Sequence, residues 1–165
     1  MGPVDMVDDV LSRIDVPCFA VPGNCDPKEI LDTLEHSDAV CLHGAQINLG
    51  SMTIVGLGGS NPTPFNTPGE YTEDELARRL EPFASLGPLI LICHTPPKGT
   101  KLDRAGEGKH FGSTAIREFI DRHQPRYFYC GHIHEAAGVH DVIGRTQCWN
   151  VGPRGQLLDL DALPK

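Results

Sequence analysis

Apolar positions recur along the chain in two patterns, one typical of helices and one typical of strands. Spacings of three and four residues predict helices over 5–14, 27–34, 72–83 and 113–123. Short apolar runs bounded by glycine, proline or asparagine predict strands. The predicted strands are 16–21, 39–42, 46–49, 52–57, 89–93, 126–130, 137–142, 146–151 and 156–160.

The order of these elements indicates the fold class. Strands alternate with helices and a run of strands ends the chain, which predicts an α/β (α+β) fold, a layered β-sandwich flanked by helices, in a single domain over 1–165. The strands between 39 and 57 are expected to be antiparallel neighbours. The segment 58–69 is too rich in glycine and proline for regular structure, and Thr72 with Glu75 predicts a capping box directly after it.

Charge and composition narrow the possible partners. The formal net charge of -8 weighs against a nucleic-acid backbone as a bulk partner. No apolar run reaches the ~20 residues that span a bilayer, and no signal peptide is recognisable, so no membrane partner and a cytoplasmic location are expected. The six cysteines form no CxxC pair, which predicts mostly buried thiols rather than disulfides or a structural zinc site.

Three loops begin with potential metal ligands directly after apolar strands. They are Gly23-Asn24-Cys25-Asp26, Cys93-His94-Thr95-Pro96-Pro97 and Cys130-Gly131-His132-Ile133-His134-Glu135. If the three strands share one sheet, Asn24, His94, His132 and His134 converge at one rim, and convergent imidazoles bind transition metals. Asn24 alone would be read as a turn residue. The remaining histidines follow no such pattern and are expected to be ordinary polar residues: His36, His43, His123 and His140.

The motifs GNCD, CHTPP and GHIHE resemble, in order and spacing, the third, fourth and fifth signature motifs of the calcineurin-like metallophosphoesterases. The resemblance implies that Asn24, His94 and His132 hold one metal and that His134 belongs to a neighbouring one, with His94 also counted as catalytic. It implies hydrolysis of a small phosphomonoester or phosphodiester by a two-metal site. Mn²⁺ is the expected ion, with Fe, Ni or Zn as alternatives.

Two departures from the family pattern modify this expectation. The family's D-x-H and G-D motifs have no counterpart ahead of GNCD, so the chain is interpreted as N-terminally truncated, with weak or absent turnover. Cys25 stands where many relatives carry a histidine that protonates the leaving group. His110, in a glycine-flanked loop, is the candidate replacement, although an exposed loop histidine is an equally good interpretation. Ser113 is a candidate anion contact or, more simply, a helix cap.

Two other functions remain open at this stage. The same fold serves as a non-catalytic scaffold, and Asn24, His94 and His132 could instead form a mononuclear zinc hydrolase with Asp26 or Glu135 as its base. The missing N-terminal strands would leave an unpaired edge and an apolar surface. A homo-oligomer is therefore expected, with a partner chain covering the surface around 16–21 and 89–93.

Overall fold

The structure is a computed structural model that describes residues 4–159, and these residues form four helices and ten strands. The helices are α1 (Asp5–Leu11), α2 (Ile30–His36), α3 (Glu73–Leu80) and α4 (Thr114–His123). The strands are β1 (Cys18–Ala20), β2 (Ala39–Cys41), β3 (Ala45–Leu49), β4 (Met52–Leu57), β5 (Leu89–Cys93), β6 (Arg104–Ala105), β7 (Lys109–His110), β8 (Tyr127–Cys130), β9 (His140–Ile143) and β10 (Thr146–Asn150).

Six of these strands form the central sheet, in the order β3-β4-β5-β8-β10-β9. The four inner strands run parallel, and β3 and β9 pair antiparallel at the two edges. Because parallel strands end at the same side of a sheet, the loops that follow β4, β5, β8 and β10 share one rim. Ligands collect at such a rim in open α/β sheets.

The central sheet is covered on both faces. On one face, Leu76 and Leu80 of α3 and Ile116 and Ile120 of α4 pack with buried strand residues in a single apolar cluster. The opposite face forms a second cluster, against which the half-buried side chains of the β1 segment pack. The chain therefore has the predicted mixed α/β class, with a central sheet flanked by helices.

Some local predictions were wrong. Strand β2 pairs in parallel with β1, in a two-stranded sheet of its own, rather than antiparallel with β3. Helix α2 begins at Ile30 because the amide of Ile30 donates to the carbonyl of Pro27 in a preceding turn. Residues 156–159 form no strand, and residue 160 of that prediction lies outside the described residues. The glycine-rich segment before α4 contains a hairpin, β6–β7, that periodicity did not indicate.

Part of the predicted oligomer surface is also wrong. Leu89, Ile90, Leu91 and Cys93 of β5 are each less than 5% exposed within the single chain, so no partner is needed to cover this strand. Val16, in the other part of the predicted surface, is 68% exposed. A homo-oligomer stays a prediction. None of the helices in residues 4–159 has the length and apolar character that a bilayer crossing requires.

Helices α3 and α4 are joined by a charged cap. Thr72 and Glu75 form the predicted capping box at the start of α3. The neighbouring Glu73 carboxylate accepts hydrogen bonds from the Ser113 hydroxyl at 2.6 Å and from the Thr114 and Ala115 amides at 3.0 and 2.9 Å. These amides belong to the first turn of α4, which has no intrahelical acceptors for them. One side chain of α3 therefore caps the next helix.

We expect Glu73→Ala to lower the free energy of unfolding by about 2 kcal/mol, because it leaves the first-turn amides of α4 without their charged acceptor. This loss corresponds to a fall of about 4–8 °C in the melting temperature of a chain of this size. Asp74→Ala is the matched control, since it removes the same charge one residue later. Equal melting temperatures for the two variants, measured by circular dichroism, would contradict the role of the cap.

Candidate metal centre

His94 and His132 follow two neighbouring strands of the central sheet. Strands β5 and β8 pair in parallel, with Ile90 opposite Tyr127, so their carboxyl ends lie side by side. The amide of Gly131 donates to the carbonyl of His94 at 3.0 Å and joins the two loops just beyond the strands. This register brings the two imidazoles to the same point of the rim.

The His132 loop has an unusual conformation that a buried amide supports. His132 has a φ of 65°, in the left-handed region that non-glycine residues rarely occupy. The carboxamide nitrogen of Asn150 donates to the carbonyls of Gly131 and Ile133 at 3.1 and 2.9 Å, on either side of His132. Asn150 is 1% exposed. The sequence interpretation missed it, because it predicted only an ordinary strand around this position.

Asn24 lies in a loop of the two-stranded β1–β2 sheet, whereas the two histidines lie in loops of the central sheet. Its loop follows β1 and is fastened to the loop after β4, where the amide of Gly59 donates to the carbonyl of Pro22 and the amide of Gly69 donates to the carbonyl of Asn24, both at 2.9 Å. A Cβ at Gly69 would lie 2.9 Å from the carbonyl oxygen of Gly23, so glycine permits this close approach. The assumption that all three loops share one sheet was wrong, although the side chains still meet.

Three donor atoms converge at this point. Asn24 Oδ1 lies 2.9 Å from His94 Nε2 and 3.1 Å from His132 Nδ1, and the two ring nitrogens are 3.2 Å apart. An ion about 2.1 Å from each donor requires neighbouring donors about 3.0 Å apart in octahedral geometry and about 3.4 Å apart in tetrahedral geometry. The observed triangle therefore has the dimensions of one face of a metal coordination shell, nearer to the octahedral value.

Both rings are held in the neutral form that binds metals. Burial, reinforced by the His132 and His134 rings, lowers the pKa of His94 to about 4. Burial also lowers the pKa of His132, an effect that His134 reinforces and the Glu70 carboxylate partly offsets. Neutral imidazole is the ligand form, so the donor set fits a divalent ion at neutral pH.

The other predicted site residues are not among the three donors of this triangle. His134 is exposed at the start of a short 3₁₀ helix, and it lines the same cavities as His132. Within residues 4–159, no group of three or more histidine, cysteine, aspartate or glutamate side chains has a metal-binding arrangement. The Asp26 carboxylate accepts a hydrogen bond from the Gly23 amide at 2.7 Å and so closes its own turn. A catalytic role for Asp26 stays a prediction.

A threonine and a glutamate orient the Asn24 amide. Asn24 Nδ2 donates to the Thr67 hydroxyl at 2.9 Å, and that hydroxyl donates to Glu70 Oε1 at 2.6 Å. Glu70 also accepts from the Thr67 amide and from the amide and hydroxyl of Thr63. Although desolvation alone would raise it, the hydrogen bonds from Thr63 and Thr67 lower the pKa of Glu70 to about 2. The carboxylate is therefore ionised and acts only as an acceptor.

His110 is paired with a buried aspartate. Its Nδ1 lies 2.7 Å from Asp103 Oδ1, and the Asp103 side chain is fully buried. Asp103 also accepts from the amides of Gly99, Thr100 and Gly112, which fix the carboxylate in the loop. About a third of the His110 side chain remains exposed, at 32%. An oriented imidazole with an exposed edge is the arrangement of a proton donor or acceptor.

Two cavities adjoin the three-donor cluster. One, of about 520 Å³, is lined by His94, His132, His134 and Asn150. The other, of about 630 Å³, lies over Asn24 and His132 and is also lined by His110. Both volumes are within the range of small-molecule sites. The second cavity thus joins the candidate metal ligands to the Asp103–His110 pair.

The remaining histidines have ordinary contacts, as expected. His36 Nδ1 lies 2.7 Å from the Asp32 carbonyl oxygen, and His43 Nδ1 accepts from the Gly58 amide at 3.1 Å. His123 packs on Phe119, and His140 contacts Gln147.

All six cysteines are free thiols, and three are buried. Burial raises the pKa of each of these three, to about 12 for Cys148. Cys25 is exposed, and the residues described as lining the two cavities do not include it.

Ser113 has a structural role. Its hydroxyl accepts from the Ile116 amide, which makes it the N-cap of α4, and it donates to Glu73. The cap interpretation was correct. The first-turn amides of α4 are already bound by Glu73, so they are not available to an anion.

Solved structures share this architecture. One crystal structure superposes with a TM-score of 0.76 at 25% identity, over 90% of this chain and 63% of that chain. This chain thus spans less than two thirds of that protein. The protein TT1561 of Thermus thermophilus gives a TM-score of 0.67 at 19% identity, over 90% of this chain and 68% of that one. A putative 5'-nucleotidase from Staphylococcus aureus, in complex with alpha-ketoglutarate, gives 0.55 at 13% identity, over 92% and 34% of the two chains.

Sequence comparisons identify the family. The uncharacterized protein MJ1162 of Methanocaldococcus jannaschii is 37% identical over 156 residues, which make up 92% of this chain and 70% of that protein. The family model described as calcineurin-like phosphoesterase matches residues 3–136. That span includes the GNCD, CHTPP and GHIHE loops from which Asn24, His94 and His132 converge. The chain belongs to the calcineurin-like phosphoesterase family.

Proposed function

We propose that this protein is a metal-dependent phosphoesterase that hydrolyses a small phosphomonoester or phosphodiester. The observation that carries the proposal is the triangle of Asn24 Oδ1, His94 Nε2 and His132 Nδ1, with sides of 2.9 to 3.2 Å. In a family of phosphoesterases, a preformed set of neutral donors beside an open cavity supports a metal-bound phosphate site. Six free thiols suit a reducing compartment, which supports a cytoplasmic location.

Asn24, His94 and His132 would hold one divalent ion, and His134 would contribute to a second. Such ions supply positive charge for the phosphoryl oxygens and lower the pKa of a bound water. Mixed nitrogen and oxygen donors at near-octahedral spacing favour Mn²⁺, with Fe, Ni or Zn as weaker candidates. The three donors carry no charge, and the charge of the Glu70 carboxylate acts on His132 from outside the donor set. Because no donor is an anion, we expect modest metal affinity and slow turnover.

His110 is the proposed proton donor to the leaving group. It lines the cavity that Asn24 and His132 also line, and Asp103 holds its Nδ1, which leaves Nε2 as the nitrogen that can exchange a proton with a substrate. The buried Asp103 carboxylate fixes the orientation of the ring, which is the role of the aspartate in a catalytic triad. This pairing supports His110 over Cys25, which is exposed outside the cavity linings.

The larger cavity favours a substrate with an apolar organic portion. Phe65 and Phe111 line it and are 81% and 42% exposed, which leaves two aromatic rings available for contact beside the metal ligands. Lys98 lines the same cavity and brings a positive charge that would attract a phosphate group. An ester with an aromatic group near its phosphate matches this lining.

The test is hydrolysis of bis-p-nitrophenyl phosphate with and without Mn²⁺. We expect slow turnover that requires Mn²⁺ and disappears in Asn24→Ala. Turnover that does not depend on Mn²⁺, or that is equal in Asn24→Ala, would contradict the proposal. Absence of turnover in the wild-type chain would favour a non-catalytic scaffold.

A further inference from the structure

We propose that Thr67 and Glu70 form a polarity relay that fixes which end of the Asn24 amide faces the metal position. The inference rests on the proposed metal ligation by Asn24. The relay runs from Asn24 Nδ2 to the Thr67 hydroxyl and from that hydroxyl to Glu70 Oε1, over distances of 2.9 and 2.6 Å. Both positioning residues lie in the segment 58–69 and directly after it, in a part of the chain that no motif marks.

The direction of the relay follows from the chemistry of its last member. An ionised carboxylate can only accept hydrogen bonds, so the single proton of the Thr67 hydroxyl is committed to Glu70. The hydroxyl then has only lone pairs to offer Asn24, and lone pairs bind the NH₂ end of the amide. The oxygen end must face the opposite side, where it lies 2.9 and 3.1 Å from the two imidazole nitrogens.

Without this constraint the amide could turn over. The two ends of a carboxamide are nearly the same size, and hydrogen bonding decides which end occupies which side. With the orientation reversed, Asn24 would direct two N–H donors toward the metal position and could not coordinate a cation. A hydroxyl group outside the ligand set therefore decides whether Asn24 is a ligand.

The surrounding contacts make the relay rigid. The Glu70 carboxylate is held by the backbone amides of Thr63 and Thr67 and by the Thr63 hydroxyl, at 3.1, 2.8 and 2.6 Å. Asn24 is 6% exposed, and its carbonyl accepts from the amide of Gly69, between the two relay residues. Outer groups that orient metal ligands in this way typically change metal affinity by about 10- to 100-fold when removed.

The experiment measures the dissociation constant of Mn²⁺ by isothermal titration calorimetry on the whole chain. We expect Thr67→Val, which has the same shape without the hydroxyl, to weaken binding about tenfold or more. Thr67→Ser keeps the hydroxyl and should bind as the wild type does. Glu70→Ala frees the hydroxyl proton without removing the hydroxyl, so its loss should be smaller than that of Thr67→Val.

The Thr63→Val variant distinguishes an effect of the relay on Mn²⁺ binding from an effect of loop rigidity. Thr63 donates to the same carboxylate but does not touch Asn24, so this variant perturbs the loop and leaves the relay intact. We expect a smaller loss of Mn²⁺ affinity than in Thr67→Val, because Thr63 only helps to hold the Glu70 carboxylate. In the metal-free chain, the NMR signals of the Asn24 side-chain NH₂ should show a hydrogen-bonded proton in Thr67→Ser that is lost in Thr67→Val. Melting temperatures identify any variant that is merely unfolded.

The outcomes separate the relay from the proposed function. Equal Mn²⁺ affinity in Thr67→Val and the wild type, or equal losses in Thr67→Val and Thr63→Val, would overturn the relay. Selective weakening in Thr67→Val would support the relay even if the chain hydrolyses no phosphate ester, which would count against the proposed function alone. A wild-type chain that binds no Mn²⁺ would overturn both.

Discussion

Replacing His94 with alanine is expected to weaken Mn²⁺ binding by about 100-fold or more. His94 contributes one of the three converging donors that residues 4–159 provide, so its loss should cost at least as much as the loss of an outer group that merely orients a ligand. The same result is expected for Asn24→Ala and His132→Ala. Calorimetric titration with Mn²⁺, repeated with Zn²⁺, measures the effect.

The matched control is His140→Ala. It removes a histidine whose contacts are with Gln147 and Trp149, away from the cluster. It should bind Mn²⁺ as the wild type does. His134→Ala should give an intermediate loss, since His134 lines the cavities beside the three donors without being one of them. Wild-type affinity in His94→Ala would show that the triangle is not the binding site.

Replacing His110 with alanine is expected to slow the hydrolysis of esters with strongly basic leaving groups by about 100-fold or more, because general acid catalysis supplies rate factors of about this size. Esters of p-nitrophenol need little protonation of the leaving group, so their rate should fall far less. The comparison of kcat between an alkyl and a p-nitrophenyl ester, at saturating Mn²⁺, measures this selectivity.

One further measurement distinguishes proton donation from a structural role. Mn²⁺ affinity should be unchanged in His110→Ala, since His110 is not one of the three donors. Equal losses on both ester classes would contradict the assignment.

The parts of the fold that follow from local rules were predictable. The capping box of α3 and the strand β4 were found because each depends on residues adjacent in sequence. The rim position of His94 and His132 was predictable because apolar strands end directly before them. Pairing between distant segments was not predictable in the same way, and the parallel pairing of β1 with β2 was missed.

The supporting residues of the site could not be predicted for a different reason. Thr67, Glu70 and Asp103 lie in or beside glycine- and proline-rich segments, where apolar periodicity gives no signal. Their roles depend on hydrogen bonds across the fold, such as the bond from Asn24 Nδ2 to the Thr67 hydroxyl, 43 residues apart. Asp103 could be noticed only as an acidic residue near His110, with no indication that it is fully buried.

The position of His110 on the β6–β7 hairpin separates the proposed proton donor from the proposed metal ligands. His94 and His132 follow strands of the central sheet, whereas His110 stands on a two-stranded hairpin that is a separate sheet. Substitutions or insertions at the hairpin tip, between Ala105 and Lys109, would move the proposed proton donor and leave the strands before the proposed histidine ligands unchanged. On the proposed function, leaving-group preference can therefore change while the metal-binding framework stays the same.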